Sequence, residues 1–389
     1  MKLVILGGYG EIGTIIAKDL AATGKDFEVV VTGRDLAKAE KLVDSIGVKH
    51  LTAEKADVNK KSEVMKVLKG ADVTINATNY YTNVEVMKMS LESGAHYLDL
   101  GGLFHTTMKQ MKLHKAFKDK GLLALLGMGS TPGITNLLAL HGARQLDSVS
   151  EIHVAFGDKD YTKYTTPFMT PYSMQTVFDE FTMPAPVFKD GRLTYDKALG
   201  GEVVIDFPAP VGKLKCWHAI HSEVATLPYS FKGVKACSFR GAWDPGFIDK
   251  TKFLIDAGFS SYDPVAVDGV TVKPRSVSVS LLNRFIPDKR IKMDDIEYLR
   301  IAVTGKKNGK TKTIAEYMKA FANKRYNIPA GVWDTAVPPS ILAQMMAKGE
   351  IKTTGAVPPE RIDIDFEELF DELKRRNITV FSRLEKSGE

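Results

Sequence analysis

One glycine pattern constrains the fold of this chain more than any other feature, because it lies between an apolar run and a helical pattern. The run Lys2–Leu6 is typical of a buried parallel strand, and residues 12–22 carry apolar side chains at helical spacing. The GxGxxG motif between them supplies a tight turn, a close backbone approach to pyrophosphate and close helix–strand packing from its three glycines in order. It predicts a dinucleotide at the helix N-terminus; a plain glycine-rich turn is the alternative. The motif consists of Gly8, Tyr9, Gly10, Glu11, Ile12 and Gly13.

Strand and helix patterns alternate throughout the first 130 residues. Short apolar runs are separated by stretches with helical spacing, which is the pattern of a doubly wound parallel sheet covered by helices on both faces. We therefore predict an α/β fold that begins with a Rossmann domain at residues 1–130. The predicted strands are Lys2–Leu6, Phe27–Val31, His50–Ala56, Ala71–Ala77, His96–Leu100 and Leu122–Leu126.

The pattern changes after Gly127. Residues 131–330 contain several strand patterns and two hairpin signals, which predict a second, β-rich α/β domain. Residues 331–389 form a C-terminal part in which prolines open a predicted helix from Pro338 through Lys348. A second predicted helix spans Asp365–Arg375. We expect these C-terminal helices to pack back on the Rossmann domain.

Charge and composition exclude several functional classes. The net charge is +6, but basic and acidic residues are interspersed, so we predict no nucleic-acid surface. The two cysteines form no CxxC pair, and the histidines share no metal spacing, so we predict no metal site and a reducing compartment. No apolar stretch approaches the roughly 18 residues of a membrane span, and the N-terminal run is too brief for a signal peptide. We expect a soluble, cytoplasmic protein without membrane contact.

The end of the second predicted strand distinguishes NADP from NAD. An NAD-binding domain normally carries an acid there that binds the ribose 2′-hydroxyl, but here the strand ends in Thr32, Gly33 and Arg34. Arg34 is suited to a 2′-phosphate and to stacking on adenine, and Thr32 offers a hydroxyl. The sequence favours NADP, with NAD as the alternative. Asp57 and Val58, after the third strand, are predicted to lie beside the adenine; a helix-capping role for Asp57 is the alternative.

Polar residues follow the fourth and fifth predicted strands. Ligands of doubly wound sheets lie beyond the carboxyl ends of the strands, so these residues are expected near the nicotinamide. They are Ala77, Thr78, Asn79 and Tyr80 after the fourth strand, and Asp99 and Gly101 after the fifth.

Two segments at a characteristic spacing carry a family resemblance. They are YLDLGG at residues 97–102 and GSTPGITN at residues 129–136, supported by PAPV at 184–187 and TLPY at 226–229. With them the chain resembles the saccharopine dehydrogenase family, and within it the lysine 6-dehydrogenases, from residue 1 to about 275. The resemblance implies hydride transfer at a C–N bond of an amino acid, a second α/β domain that holds substrate, and a homodimer.

The sequence departs from the family at two positions. Lysine 6-dehydrogenases carry an acid at the second-strand tip, where this chain has Gly33-Arg34. Saccharopine-forming members place a carboxylate-binding Arg where this chain has Glu223. An acid there suits an amine better than a carboxylate, which argues against saccharopine as the substrate.

Oxidation of an amine requires a base within hydrogen-bond reach of the ammonium proton. Four residues are candidates for this catalysis: Asp99, Tyr80, His221 and Glu223. Their alternatives are structural, namely a turn cap, a core aromatic, a hydrogen-bonded core histidine and a surface ion pair. The predicted substrate-binding residues are Gly101, Thr135, Asn136, Arg240 and Trp243.

The predicted function is therefore NADP-dependent oxidation or reduction at a C–N bond of a small amino-acid substrate. Oxidative deamination of lysine at its ε-carbon and the related imine reduction are the leading forms, with a saccharopine-type reductase as the alternative. Two other classes remain open: a non-enzymatic NADP(H) sensor and a lipid-acting reductase, although no amphipathic membrane helix is evident.

Overall fold

A computed structural model describes residues 1–166, 168–170, 172–285 and 290–385. The N-terminal part of the chain alternates strictly between strand and helix. In chain order the elements are β1 (Lys2–Leu6), α1 (Glu11–Thr23), β2 (Glu28–Gly33), α2 (Leu36–Ile46), β3 (Leu51–Lys55), α3 (Lys61–Val67), β4 (Val73–Asn76), α4 (Asn83–Ser93), β5 (His96–Asp99), α5 (Leu103–Met111), α6 (His114–Asp119) and β6 (Leu123–Leu125).

The middle of the chain is rich in strands. Its elements are α7 (Ile134–Ala143), β7 (Ser148–Asp160), α8 (Met174–Thr182), β8 (Ala185–Lys189), β9 (Arg192–Asp196), β10 (Val203–Phe207), β11 (Gly212–His218), α9 (Glu223–Ser230), β12 (Ala236–Gly241), α10 (Pro245–Asp256), β13 (Val265–Val267), β14 (Val270–Val272), α11 (Pro274–Leu282), β15 (Asp295–Lys307) and β16 (Lys310–Phe321). The chain continues with α12 (Ala330–Ala347), β17 (Gly355–Val357), α13 (Phe366–Arg375) and β18 (Thr379–Glu385).

The first sheet is parallel, with the strand order β17-β6-β5-β4-β1-β2-β3. Because helices cover both faces, the central strands are apolar on both sides, and residues 3–6 of β1 are completely buried. All six strands predicted from the sequence are present in the doubly wound order, which confirms the predicted Rossmann fold. The sequence analysis missed β17, because a three-residue strand that begins with a glycine carries no periodicity.

The second sheet is mixed and runs in the order β10-β11-β12-β7-β15-β16-β18, with β8 paired to β12 and β9 to β8. Its long strands β7 and β15 pair antiparallel, whereas β7 and β12 run parallel. The predicted β-rich second domain is therefore present, and α7 connects it to the first sheet. None of the helices in the described residues combines the length and the apolar character that crossing a membrane requires.

Helix α12 lies against α1 of the Rossmann domain, and its start differs from the prediction. It begins at Ala330, so Pro338 and Pro339 lie in its interior rather than in its first turn. Each proline removes an N–H that would bond the carbonyl four residues back, a loss that normally breaks a helix. Here nearly every residue from Val332 to Met346 is buried, so packing overrides the local preference. Buried Asp19 of α1 fixes the arrangement by accepting Ser340 Oγ at 2.6 Å and Arg376 Nε at 2.9 Å.

Candidate functional site

The glycine loop after β1 has a different steric requirement at each position. Gly7 has a φ of +76°, so it supplies the left-handed turn that the sequence analysis assigned to Gly8. A Cβ on Gly8 would lie 2.7 Å from Val31 Cγ1, and one on Gly13 would overlap the carbonyl oxygen of Gly7. A Cβ on Gly10 would meet only that same oxygen, at 3.1 Å. Gly8 and Gly13 are thus required by packing, and Gly10 leaves an open cradle at the N-terminus of α1, which fits a pyrophosphate.

The ends of β2 and β3 form the expected adenosine end of this site. Arg34 is exposed there and lies near enough to Asp57 that its charge, after hydrogen bonds from Asn59, helps to lower the pKa of Asp57. Thr32 is buried and donates to the carbonyl of Ile5 at 3.0 Å, so its hydroxyl is already used. The cationic group that remains available to a 2′-phosphate is therefore Arg34, as NADP binding requires.

Tyr9 explains why a glycine stands at the second-strand tip. Its ring lies where a side chain on Gly33 would be, and its hydroxyl accepts the backbone N–H of Asp35 at 3.0 Å. Tyr9 therefore shapes the loop from inside the protein. In the same loop Glu11 is exposed in the first turn of α1, Ile12 packs against the core, and Val58 is partly buried beside the third strand.

Most polar side chains of the loop after β4 form hydrogen bonds within the loop itself. Ala77 extends the β1–β4 pairing through its N–H, and Thr78 Oγ1 donates to Asn76 Oδ1 at 2.6 Å. Asn79 caps the following 3₁₀ turn through the N–H of Tyr81. The carboxyl edge of the sheet thus has a defined backbone shape. Of the predicted residues here, Tyr80 is the one that reaches the second domain.

Asp99 lies at the end of β5, as predicted, but it does not face a cleft. It is fully buried, and its oxygens accept from Tyr97, Gln110 and the backbone N–H groups of Gly101 and Gly127. Because four donors surround it, Asp99 joins the loops after β5 and β6. Its catalytic assignment stays a prediction that this geometry does not favour, and Gly101 packs against Pro132 behind it.

His221 and Glu223 form a buried ion pair at the start of α9. His221 Nδ1 bonds the Glu223 carboxylate, and the imidazole stacks on Phe239 with ring centres 3.8 Å apart. Burial, the largest single influence, lowers the pKa of His221, but the charge and hydrogen bond of Glu223 together with the charge of Glu180 raise it above the ordinary value. Burial likewise raises the pKa of Glu223, yet the charge and hydrogen bond of His221 and the hydrogen bond from Thr131 together bring it below the ordinary value. Each partner therefore favours the ionised form of the other.

The loop after β6 supports this ion pair from the Rossmann side. Thr131 and Thr135 both donate to Glu223 Oε1, the latter at 2.9 Å. Asn136 turns the other way and donates to Glu360 at 2.8 Å, so it fixes the connection between domains instead of entering the site. The structure thus brings the predicted residues Thr135, His221 and Glu223 together.

Glu180 on α8 is a buried acid beside the ion pair that the sequence analysis missed. Tyr172 donates its hydroxyl to Glu180, and Trp243 Nε1 donates to that same hydroxyl at 3.0 Å. Burial raises the pKa of Glu180 to about 7, against the opposing effect of the His221 charge. Glu180 can therefore exchange a proton near neutral pH, as a general acid or base must. Trp243 does not contact Glu180 through this hydrogen bond but positions the Tyr172 hydroxyl that does.

Tyr80 connects the sheet edge to the neighbouring residue of α8. Its hydroxyl donates to Asp179 Oδ2 at 2.6 Å, and Arg275 of α11 pairs with the other oxygen of Asp179. Burial, followed by the Asp179 carboxylate, raises the pKa of Tyr80. Tyr80 therefore stays protonated and holds the two domains at a fixed distance.

Arg240 lies away from this group. Its guanidinium donates to Ser238 of β12 at 2.6 Å and to the carbonyl of Gly201, just before β10. The predicted pairing of Arg240 with a substrate carboxylate has no support in this position.

Two signals in the sequence could have indicated the missed residues. Asp179 and Glu180 are adjacent acids within the apolar stretch Val177–Phe181, where uncompensated charge is costly. Their partners Tyr172 and Arg275 carry no local signal, because they come from other elements. Among the described residues, no group of three or more His, Cys, Asp or Glu could hold a metal ion.

The parallel sheet, its open glycine cradle and the charged second-domain site define a two-domain, dinucleotide-dependent oxidoreductase. Residues 3–125 match the saccharopine dehydrogenase NADP binding domain, and residues 129–378 match the saccharopine dehydrogenase C-terminal domain. The chain belongs to the saccharopine dehydrogenase family.

Individual members of the family that are similar to this chain act on different substrates according to their names. Carboxyaminopropylagmatine dehydrogenase of Synechocystis sp. is 24% identical over 380 residues and covers 94% of each chain. Carboxynorspermidine synthase of Vibrio cholerae is 24% identical over 391 residues, covering 92% of each chain. The structure of saccharopine dehydrogenase (L-Glu forming) from Saccharomyces cerevisiae superimposes with a TM-score of 0.74 at 16% identity, covering 99% of this chain and 100% of that one. The protein is thus an NADP-binding oxidoreductase of this family, and these relatives are not lysine dehydrogenases.

Proposed function

We propose that this protein is an NADPH-dependent reductase that joins a cationic amine to a small amino-acid semialdehyde through a secondary amine. The amine and the aldehyde condense to an imine with loss of water; the imine nitrogen takes a proton, and hydride addition to the imine carbon then gives the secondary amine. The same site run backwards oxidises the secondary amine. This proposal replaces lysine with an amine that carries a second cationic group and no carboxylate in the predicted C–N chemistry.

The observation that carries the proposal is the charge balance of the second-domain site. Three buried carboxyl groups, those of Asp179, Glu180 and Glu223, lie there with two buried cations, His221 and Arg275, each paired to one of the acids. Glu180 remains without a cationic partner in the described residues. A site with this balance favours a cationic amine and disfavours a second carboxylate.

The names of the relatives agree with this chemistry. Carboxyaminopropylagmatine is an amine that bears a carboxyaminopropyl group, and carboxynorspermidine is a polyamine that bears a carboxyl group. The aldehyde that corresponds to a carboxyaminopropyl group is aspartate β-semialdehyde. A saccharopine dehydrogenase named for NADP(+) and glutamate formation, 26% identical over 206 residues, belongs to the same comparison.

One group of residues would bind the cofactor, and a second group, in the second domain, would handle the proton transfer. Gly10 and the N-terminus of α1 would hold the pyrophosphate, and Arg34 would hold the 2′-phosphate. NADPH bound there supplies the hydride. Glu180, with its pKa of about 7, takes the proton that the ammonium must lose before the nitrogen can attack the aldehyde. The charge of His221 lowers the pKa of Glu180 and so favours its ionised form, while the smaller effect of the Glu223 charge acts in the opposite direction.

The test follows NADPH absorbance at 340 nm with purified protein, aspartate β-semialdehyde and either 1,3-diaminopropane or agmatine. Oxidation of NADPH that requires both aldehyde and amine, with the secondary amine detected by mass spectrometry, is the expected result. Parallel reactions with lysine and NADP, with saccharopine and NADP, and with NADH in place of NADPH cover the alternatives. Faster turnover of lysine or saccharopine than of the amine–aldehyde pair would overturn the proposal, and equal use of NADH would remove the NADP preference.

A further inference from the structure

A second group of acids lies next to the proposed reaction site and takes no part in the chemistry described above. Asp158 on β7 and Glu297 on β15 face each other directly in the antiparallel register. Helix α12 crosses them so closely that a Cβ on Gly331 would lie 2.5 Å from Glu297 Oε2. Asp334, one turn further along α12, is near enough to Glu297 for its charge to raise the pKa of Glu297. We call Asp158, Glu297 and Asp334 the acidic recess.

Asp334 is independent evidence that the recess lacks a partner. Its side chain is completely buried, yet neither carboxylate oxygen has a hydrogen-bond partner in the described residues. Burial and the neighbouring charge of Asp295 raise the pKa of Asp334, while the Ser130 hydroxyl, which is bonded to Thr335 at 3.0 Å, and the Thr335 backbone N–H oppose that rise. An ionised buried carboxylate without a partner is strongly unfavourable, so such a group stays neutral until a cation pairs with it.

Solvent reaches the other two acids of the recess. Asp158 is exposed and Glu297 partly exposed, although the surrounding protein raises the pKa of Asp158 to about 7 and that of Glu297 well above its ordinary value. No described lysine or arginine forms an ion pair with any of the three acids.

The recess lies beside the reaction site across the loop after β6. Thr335, the neighbour of Asp334, is bonded to Ser130 at 3.0 Å, and Thr131, the next residue of that loop, donates to Glu223. An extended substrate whose reacting nitrogen lies at Glu180 can therefore place its far end toward the recess. The spacing of the acids is unsuited to a metal ion, since no described group of three or more potential ligands could hold one.

We propose that the acidic recess binds the distal cation of the amine substrate, the charged group at the end away from the reacting nitrogen. The inference rests on the proposed function and deepens it, because it explains how a diamine is distinguished from a monoamine. Asp334 supplies a buried carboxyl group that ionises against the ligand cation, while Glu297 and Asp158 line the approach. Both an ammonium and a guanidinium group suit carboxylates in this arrangement.

The test compares 1,3-diaminopropane with propylamine, which lacks the distal cation, in NADPH oxidation with aspartate β-semialdehyde. The wild-type protein should prefer the diamine, and Asp334→Asn should reduce that preference about 10- to 100-fold, mainly through KM, as the loss of a charge-assisted bond requires. Glu297→Gln should act in the same direction. Asp206→Asn, which removes an exposed acid on β10, is the matched control and should keep the preference.

Thermal unfolding separates this role from a structural one. Asp334→Asn should leave the melting temperature unchanged or raise it, since no hydrogen bond is lost. A marked fall in melting temperature with an unchanged diamine preference would overturn the inference, as would a wild-type protein that does not prefer the diamine.

Calorimetry keeps the inference testable if neither amine is turned over, in which case the proposed function itself has failed. 1,3-Diaminopropane and agmatine are then titrated separately into protein that holds NADP. Binding that Asp334→Asn abolishes supports the recess as a cation site, and the tighter of the two ligands identifies ammonium or guanidinium. Binding that survives the substitution, or no binding to the wild-type protein, overturns it.

Discussion

The glycine loop and the second-domain site meet at the same edge of the parallel sheet, but they are built in opposite ways. The loop takes its shape from six consecutive residues, and its selectivity is steric: Gly8 and Gly13 are packed tightly, while Gly10 is open. The second site is electrostatic and joins residues from five separate segments, from Tyr80 to Arg275. The comparison shows that a ligand common to many proteins is bound by local backbone geometry. A ligand particular to one branch is recognised by charges that only the tertiary fold assembles.

Removing the charge of Glu223 should have the largest effect on the electrostatic side of this comparison. Glu223→Gln keeps the shape of the side chain but leaves His221 buried without its counter-charge, so kcat/KM should fall about 10²- to 10⁴-fold. The measurement is NADPH oxidation with the amine–aldehyde pair. Glu202→Gln, an exposed acid of the same domain, serves as the control. Retention of more than a tenth of the activity would show that the ion pair is only structural.

Substitution of Arg34 tests the charge that the dinucleotide site is proposed to use for the 2′-phosphate. Arg34→Ala should weaken NADPH binding about 10- to 100-fold through loss of charge-assisted bonds to the 2′-phosphate, and should leave NADH binding unchanged. Both affinities are measured by fluorescence titration. Lys38→Ala, a neighbouring exposed cation, is the matched control. Equal weakening of both cofactors would contradict the assignment of Arg34 to the phosphate.

We expect the buried carboxyl group of Glu180 to lower the free energy of unfolding of the protein at alkaline pH. Because folding raises its pKa from 4.5 to about 7, the folded state binds more protons than the unfolded state between these values, and stability falls as the pH rises through this window. Glu180→Gln should therefore raise the free energy of unfolding by about 1–3 kcal/mol at pH 8, and by much less near pH 5. Urea unfolding at both pH values measures the difference. Glu28→Gln, at an exposed position, is expected to change neither value, and an equal effect of Glu180→Gln at both pH values would refute the argument.

Substitution of Gly10 should have the smallest of these effects, and it should weaken NADPH binding without changing the stability of the fold. Gly10→Ala adds a methyl group that meets a single protein atom, so stability should change little, while NADPH affinity should fall about tenfold because the backbone can no longer approach the pyrophosphate. Gly13→Ala is the contrasting variant, since its Cβ would overlap the loop backbone and should destabilise the domain itself. If Gly10→Ala binds NADPH normally, the cradle lies elsewhere.

Much of the fold and half of the site could be predicted from local patterns. The strands β1–β6 and the glycine motif have apolar runs and spacings that hardly depend on the rest of the chain. Glu223 and His221 were identified through a family resemblance, whereas Glu180 was missed because its importance comes from Tyr172 and Trp243. Helix α12 was placed too late, since the prolines at 338 and 339 suggest a helix start and only burial on all sides keeps them inside the helix.

The sequence by itself determined the parallel sheet, the dinucleotide loop and the absence of an acid at the tip of the second strand, because each depends on residues that are close together in the chain. The tertiary structure decided which acids share one environment. Asp99 is enclosed by four donors, whereas Glu180, Glu297 and Asp334 are left without cationic partners in the described residues. The physical reason is that the properties of a carboxyl group depend on desolvation and neighbouring charge, and both are set by segments far apart in the sequence.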